Sequence, residues 1–232
     1  NKKLTRSVHA ADPDYVYSDA NLCFVGMAID SLNRSNLDRF LQKEIYGPMH
    51  LRTTGYRPLN RFSKGRIVPT QQDRSWRRQL VHGDVHDPTA ALFGGIAGNA
   101  GLFSNALDLG TLYQMLLNGG TYGGKRYFST ETVNLFTSSQ PGSARGLGFA
   151  VKAGPKAILA PSAPKGSFGH TGFTGTCVWV DPVNEIVYVF VSNRVHPNSR
   201  NWKINILKVR QRVHQVVYDA MERSNTDEQP DR

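Results

Sequence analysis

Gly169-His170-Thr171-Gly172-Phe173-Thr174-Gly175-Thr176-Cys177-Val178-Trp179-Val180 alternates small and β-branched residues around an imidazole. Gly166–Thr171 and Gly175–Val180 therefore read as strands, with Gly172 removing side-chain bulk at the edge of the first. Asp181-Pro182-Val183-Asn184 is a turn, and Ile186–Ser192 is a further strand-like run. The last two strands should pair as an antiparallel hairpin. Leu147–Val151 is strand-like upstream. Downstream, Trp202–Met221 carries Ile204, Leu207, Val213, Val216, Val217 and Met221 at helical spacing, as a closing helix.

Toward the N-terminus the pattern becomes helical. Ala20–Asn33 spaces Leu22, Val25, Gly26, Ile29 and Leu32 as a helix does. Ser35 can cap a second helix over Asn36–Ile45, with Leu37, Phe40, Leu41 and Ile45 buried and Gly47-Pro48 ending it. Arg52–Pro88 has little periodicity and prolines at 58, 69 and 88, the mark of a long, functional connection. The glycine-rich run Gly94–Phe103 suits tight turns. Ser104 can then cap a helix that turns Leu107, Leu109, Leu112, Met115 and Leu116 inward and stops at Asn118-Gly119-Gly120. A short helix follows over Ser129–Phe136. Helices first and antiparallel strands later make an α+β fold.

Composition narrows the function classes. Hydrophobic residues at 39% and charged residues at 20% exclude wholesale disorder. No apolar run approaches the roughly 18 residues of a membrane-spanning helix. Cys23 and Cys177, each within an apolar stretch, are too few for a disulfide scaffold and read as buried thiols. The net charge of +10 raises local concentrations of polyanions. Arg74, Arg77 and Arg78 form one cluster and Lys203, Lys208, Arg210 and Arg212 another. No recognition helix, stacking motif or zinc-finger spacing accompanies them, so nucleic acid is not the expected partner.

Three local signals could carry chemistry: Tyr17-Ser18-Asp19 ahead of the first helix, His170-Thr171-Gly172 on a strand, and His82-Gly83-Asp84-Val85-His86-Asp87 in the long loop. The last has three open readings: a metal site built from His82, Asp84 and His86, a substrate-contacting loop, or a hydrogen-bonded structural loop with Asp87 as a cap. His196, in Asn193-Arg194-Val195-His196-Pro197, follows the last strand and is a candidate for the same cleft.

The order of these signals resembles the serine β-lactamase and penicillin-binding-protein superfamily. Tyr17-Ser18-Asp19-Ala20-Asn21, then Val85-His86-Asp87-Pro88-Thr89-Ala90 running to Phe103, then Gly169–Thr176 running to Asn193–Pro197 are similar to the branch of class C-like esterases and muropeptide amidases. The resemblance runs from Asp14 to Tyr218. It implies a β-lactamase-like fold, a helical cluster plus an antiparallel sheet and a C-terminal helix. Residues 1–222 would be the C-terminal part of one such domain, helices and loops over 14–146 and strands with the terminal helix over 147–222, before a polar tail at 223–232.

The resemblance also implies an acyl-enzyme mechanism on amide or ester bonds, in peptidoglycan fragments, by a bacterial protein acting in the periplasm or outside the cell. The family's nucleophile is the Ser of a Ser-x-x-Lys helix preceding the Tyr motif. Here only Ser162-Ala163-Pro164-Lys165 matches, and Pro164 makes helical pairing awkward. The expected nucleophile therefore lies upstream of Asn1, in a segment of the same polypeptide that in some proteins follows a glycosidase domain. The fold is expected to be incomplete at its N-terminus, and the isolated chain inert.

By the same resemblance Tyr17 works with the upstream Lys as base; a phenol serves as phenolate only beside cations. Asp19 stands where many relatives have Asn and cannot donate an amide hydrogen bond when ionised. His170 replaces a Lys and lacks its permanent charge. Thr171, Gly172 and the Phe173 N–H would bind substrate and the oxyanion, with His86, Asp87 and His196 nearby. A muropeptide or small-molecule substrate is expected, and no cofactor. Two alternatives are an esterase of the same fold and a non-catalytic wall-binding relative.

Overall fold

The computed structural model describes residues 17–153 and 158–227. Asp14, where the resemblance begins, and residues 228–232 of the expected tail lie outside the described residues.

The frame is an antiparallel sheet of β5 (Ala150–Val151), β6 (Phe168–Thr171), β7 (Cys177–Asp181) and β8 (Ile186–Phe190), in that order. β7 is buried at every position. The strand period of two explains why. Cys177 and Trp179 face the closing helix α7 (Val209–Asp227), packing with Tyr188, Tyr218, Val217 and Met221. Val180 faces α4 (Ala106–Leu117), packing with Phe168, Tyr113, Leu116 and Leu117. The expected hairpin forms with Val180 opposite Val187. Its turn is fixed by Asp181, which accepts from the Val183 and Asn184 N–H groups at 2.9 and 3.1 Å.

The other side of α4 joins a helical cluster. Its Met115 packs with Tyr46, Met49 and Leu51 beyond α2 (Leu37–Leu41), which continues as a π-helical turn to Tyr46. α1 (Asp19–Asn33) approaches the glycine-rich loop closely: a Cβ on Gly98 would collide with the Leu22 carbonyl. Pro88–Leu92 is a short helix, α3, and α5 spans Thr130–Thr137. Residues 121–122 and 125–126 form a small hairpin, β3–β4. Both cysteines are buried thiols, and burial pushes Cys177 up to about 11.

Several local expectations are corrected. Asn36, not Ser35, caps α2, accepting from the Arg39 N–H at 2.9 Å. Asn105, not Ser104, caps α4; the Ser104 hydroxyl is spent on Thr54 at 2.7 Å. That one-residue shift carries Leu107 outward, 77% exposed, and turns Asp108 inward. Asp108 Oδ2 takes the Thr53 N–H and hydroxyl, each at 2.8 Å, and the Thr54 hydroxyl at 3.0 Å. A carboxylate at a helix N-terminus, with three hydrogen bonds to one of its oxygens, pins the start of the long connection. The closing helix is two helices, α6 (Lys203–Ile206) and α7, broken where Lys208 adopts φ 50°. α7 runs to Asp227, so the first part of the expected tail is helical.

The long connection is irregular but tied down. It contains a ribbon, β1 (Gln71–Gln72) with β2 (Leu80–Val81). The ribbon is fastened to the chain leaving β8: the Asn193 amide donates to the Pro69 and Thr70 carbonyls at 2.5 and 3.1 Å, and the Gln72 N–H to the Pro197 carbonyl at 3.0 Å. Those bonds carry the His82–Asp87 stretch toward the C-terminal end of β6.

Candidate functional site

Tyr17 and His170 face each other across one pocket, their ring centroids 6.4 Å apart and their planes 28° from parallel. Tyr17 precedes α1, and the extended Ser18 (φ −144°) turns the chain into the helix. His170 is held by the pairing of β6 with β7, where it lies opposite Val178. Its Nδ1 lies 2.8 Å from the Thr171 carbonyl. A carbonyl can only accept, so Nδ1 carries the proton and Nε2 of the neutral ring is the acceptor.

Arg145 completes this group. Its Nη1 lies 3.4 Å from His170 Nε2 and its Cζ 5.6 Å from the Tyr17 ring centroid. Sequence reasoning passed over Arg145 as one of 28 cations. Its position follows from a bridge between Arg145 and Ala150, which itself pairs with Gly169. A cation reached through the sheet thus lies beside the Tyr17 ring.

The pocket, of about 260 Å³, is lined by Tyr17, Arg145, His170, Thr171, Gly172 and Phe173, with Arg194, Trp202 and Arg210 at its side. Among the described residues no carboxylate lines it. Gly172 is required by closeness: a Cβ there would meet the Thr176 hydroxyl. Arg194, only 6% exposed, is packed between Phe173 and Trp202, with its Cζ 4.4 and 3.9 Å from the two ring centroids. Its Nε donates to the Phe173 carbonyl at 2.8 Å and its Nη1 to the Ser199 and Asn201 carbonyls. The Phe173 peptide is therefore fixed from behind. Arg194 lies within the Asn193–Pro197 string singled out in the sequence, although His196 was the candidate named there; Trp202 had no local signal.

The remaining candidates fall in different places. His86 reaches the site's rim, its ring 5.1 Å from Phe173, and its Nε2 meets Gln71 Oε1. Burial, and then the Arg77 guanidinium, lower it below the ordinary imidazole range. Asp87 caps α3, accepting from the Ala90 N–H at 2.7 Å, and holds Asn99. Asp19 opens α1 and is exposed, and His196 is exposed beyond β8; neither lines the pocket. The three groups of the metal reading do not converge: His82 Nε2 bonds the Ile67 carbonyl at 2.5 Å, His86 is spent on Gln71, and Asp84 faces solvent. No cluster of three metal-ligating side chains occurs among the described residues.

Ser162, the serine of the in-chain Ser-x-x-Lys match, is bonded to Gln215 of α7 at 2.7 Å. Lys165 lines a different and larger groove, of about 680 Å³, between α4, α5 and β6. Among the described residues that groove is lined by Lys152 and Lys165 but by no imidazole, phenol or carboxylate, and Ser162 does not line it.

The family profile described as Beta-lactamase matches residues 2–211. The chain belongs to the beta-lactamase family. Two curated relatives bear the provisional name D-alanyl-D-alanine carboxypeptidase. The one from Escherichia coli O157:H7 is 37% identical over 199 residues, covering 78% of this chain and 45% of that protein. The one from Salmonella typhi is 36% identical over 208 residues, covering 82% and 48%. The chain thus spans just under half the length of these relatives. Among solved structures, a beta-lactamase from Mycobacterium bovis superposes with a TM-score of 0.58 at 17% identity, over 88% of this chain and 64% of that one. At that identity the likeness concerns the beta-lactamase fold alone.

Proposed function

We propose that the chain supplies most of the active site of a serine hydrolase that cleaves amide or ester bonds through an acyl-enzyme. The substrate class we infer is peptidoglycan-type peptides, processed in the periplasm or outside the cell. The observation that carries this reading is the Tyr17–His170–Arg145 group in one pocket with the Phe173 backbone.

In this reading a serine hydroxyl attacks the substrate carbonyl while the Tyr17 oxygen, assisted by a lysine, takes its proton. The phenol then returns the proton to the leaving amine or alkoxide, and water repeats the sequence to release the acid. The Phe173 N–H makes no bond to any acceptor among the described residues and is the proposed oxyanion donor. The pocket's cations suit a substrate carboxylate, as on a peptide with a free C-terminus. Because Ser162 is committed to α7, the attacking serine is proposed to come from a Ser-x-x-Lys segment outside these residues. Relatives named as D-alanyl-D-alanine carboxypeptidases favour a peptidase over an esterase.

The test is incubation of the protein, extended to include that segment, with a D-alanyl-D-alanine peptide and separately with a labelled penicillin. Release of D-alanine and a serine adduct located by mass spectrometry are the expected results. An extended protein that binds the peptide tightly without turnover or adduct is instead a wall-binding relative.

A further inference from the structure

We propose that the β1–β2 ribbon is a docking arm for an anionic lipid surface, a role separate from the chemistry of the pocket. The ribbon is lengthened at both ends, by the Thr70 N–H on the Val81 carbonyl at 2.8 Å and the Asp73 N–H on the Gln79 carbonyl at 3.0 Å. Its tip, Arg74-Ser75-Trp76-Arg77-Arg78, is a built turn. Asp73 accepts from the N–H groups of Ser75, Trp76 and Arg77 at 2.9, 3.1 and 3.2 Å and from the Ser75 hydroxyl at 2.9 Å. These bonds hold its carboxyl well below the usual range and leave the tip presenting cations.

Trp76 is half exposed, with the Arg77 guanidinium 4.7 Å from its ring centroid on one face. Arg74 and Arg78 face solvent. The charge is not confined to the tip: from Arg57 to Leu80 the chain carries seven cations and a single carboxylate, Asp73, within a protein whose net charge is +10. Most of the molecule's excess charge is thus concentrated in one segment.

Aliphatic side chains separate a lipid surface from other polyanions. Val68, just ahead of the ribbon, and Leu80, in β2, are 68% and 38% exposed. Leu59, 42% exposed, lies against Gly83, just past β2. A nucleic acid or an anionic polysaccharide gains nothing from Val68 or Leu80. A bilayer takes indole rings and aliphatic groups at its headgroup boundary and cations at its phosphates. The ribbon's attachment to Asn193 and Pro197 would transmit such docking to the rim of the pocket without requiring any membrane-spanning helix, and none of the described helices is long and apolar enough to span.

The test is co-sedimentation of the full chain with vesicles of equal parts phosphatidylglycerol and phosphatidylcholine, against phosphatidylcholine alone. Binding to the anionic vesicles only, with a blue shift of tryptophan emission, is expected. Each cation near an anionic surface strengthens partitioning roughly fivefold, so Arg74→Gln with Arg78→Gln should weaken it by more than roughly tenfold. Trp76→Ala should weaken binding and abolish the blue shift. Circular dichroism of these exposed-tip variants should be unchanged. Failure to bind anionic vesicles, equal binding to neutral ones, or unchanged binding by both variants would overturn the proposal. So would DNA binding of equal strength that is indifferent to Trp76→Ala, since that describes a general polyanion site.

Discussion

Arg145 Nη1 approaches His170 Nε2 to 3.4 Å, giving the imidazole a neighbour whose charge is permanent. A lysine at position 170 would combine hydrogen bonding and charge in one side chain; here the two are divided between residues 25 positions apart.

Arg145→Gln should therefore separate substrates by charge. Hydrogen bonds to charged groups contribute about 1.5–3 kcal/mol. The active, extended protein is expected to lose between about tenfold and a hundredfold in kcat/KM on a peptide with a free carboxylate. Its rate on a neutral ester should change little. Steady-state kinetics on the two substrates check this; equal losses on both would remove the charge argument.

Arg194 is proposed to act as a positioning residue through Phe173, whose carbonyl it holds. Arg194→Lys keeps a cation but loses the planar fork that holds three carbonyls and stacks between two rings. Misplacement of the Phe173 N–H should lower kcat by roughly tenfold to a hundredfold with KM nearly unchanged. A loss confined to KM would place Arg194 in substrate binding instead.

How much of this was legible in the sequence differs between elements. β6, β7 and β8 follow from period-two patterning and the Asp181–Asn184 turn, and Tyr17 and His170 stand out because their residue types and order match a family's chemistry. Arg145 and Trp202 are illegible, and Arg194 stands out only as part of the Asn193–Pro197 string, because their placement depends on strand pairing and on a loop return, contacts that no local window contains. The Ser104/Asn105 choice fails for a smaller reason: both are good caps, and Asp108's bonds to Thr53 and Thr54, about 55 residues away, decide between them. The long connection reads as a loop and is one; what holds it, Asn193 and Pro197, lies on the far side of the sheet sequence.

His214 predicts an acid-sensitive fold. It is 2% exposed, stacks on Tyr188 with centroids 4.2 Å apart, and its Nδ1 accepts from the Ala160 N–H at 3.3 Å. Burial pushes it down to about 4, whereas an unfolded histidine titrates near 6.5. The unfolded chain thus binds the proton first, and stability falls as pH drops from about 6.5 to about 4, by up to about 3 kcal/mol. Denaturant melts across that range should show the loss in the native protein and a weaker dependence in His214→Phe. Equal slopes in both would assign the loss to other groups.

Asp108→Ala should destabilise the protein by about 1–3 kcal/mol, because the fully buried Thr54 hydroxyl and the Thr53 N–H lose their acceptor. A thermal melt checks this. A melting temperature equal to the parent's would show that the Thr53–Asp108 network is dispensable.

The most direct measurement of the account is the rate of serine acylation by a labelled penicillin in the extended protein and in its Tyr17→Phe variant. If the phenol opposite His170 takes the nucleophile's proton, removing its oxygen should slow acylation by roughly a hundredfold or more while the melting temperature holds. Acylation of the two proteins at the same rate would mean that the Tyr17–His170 pocket is not where the bond is broken.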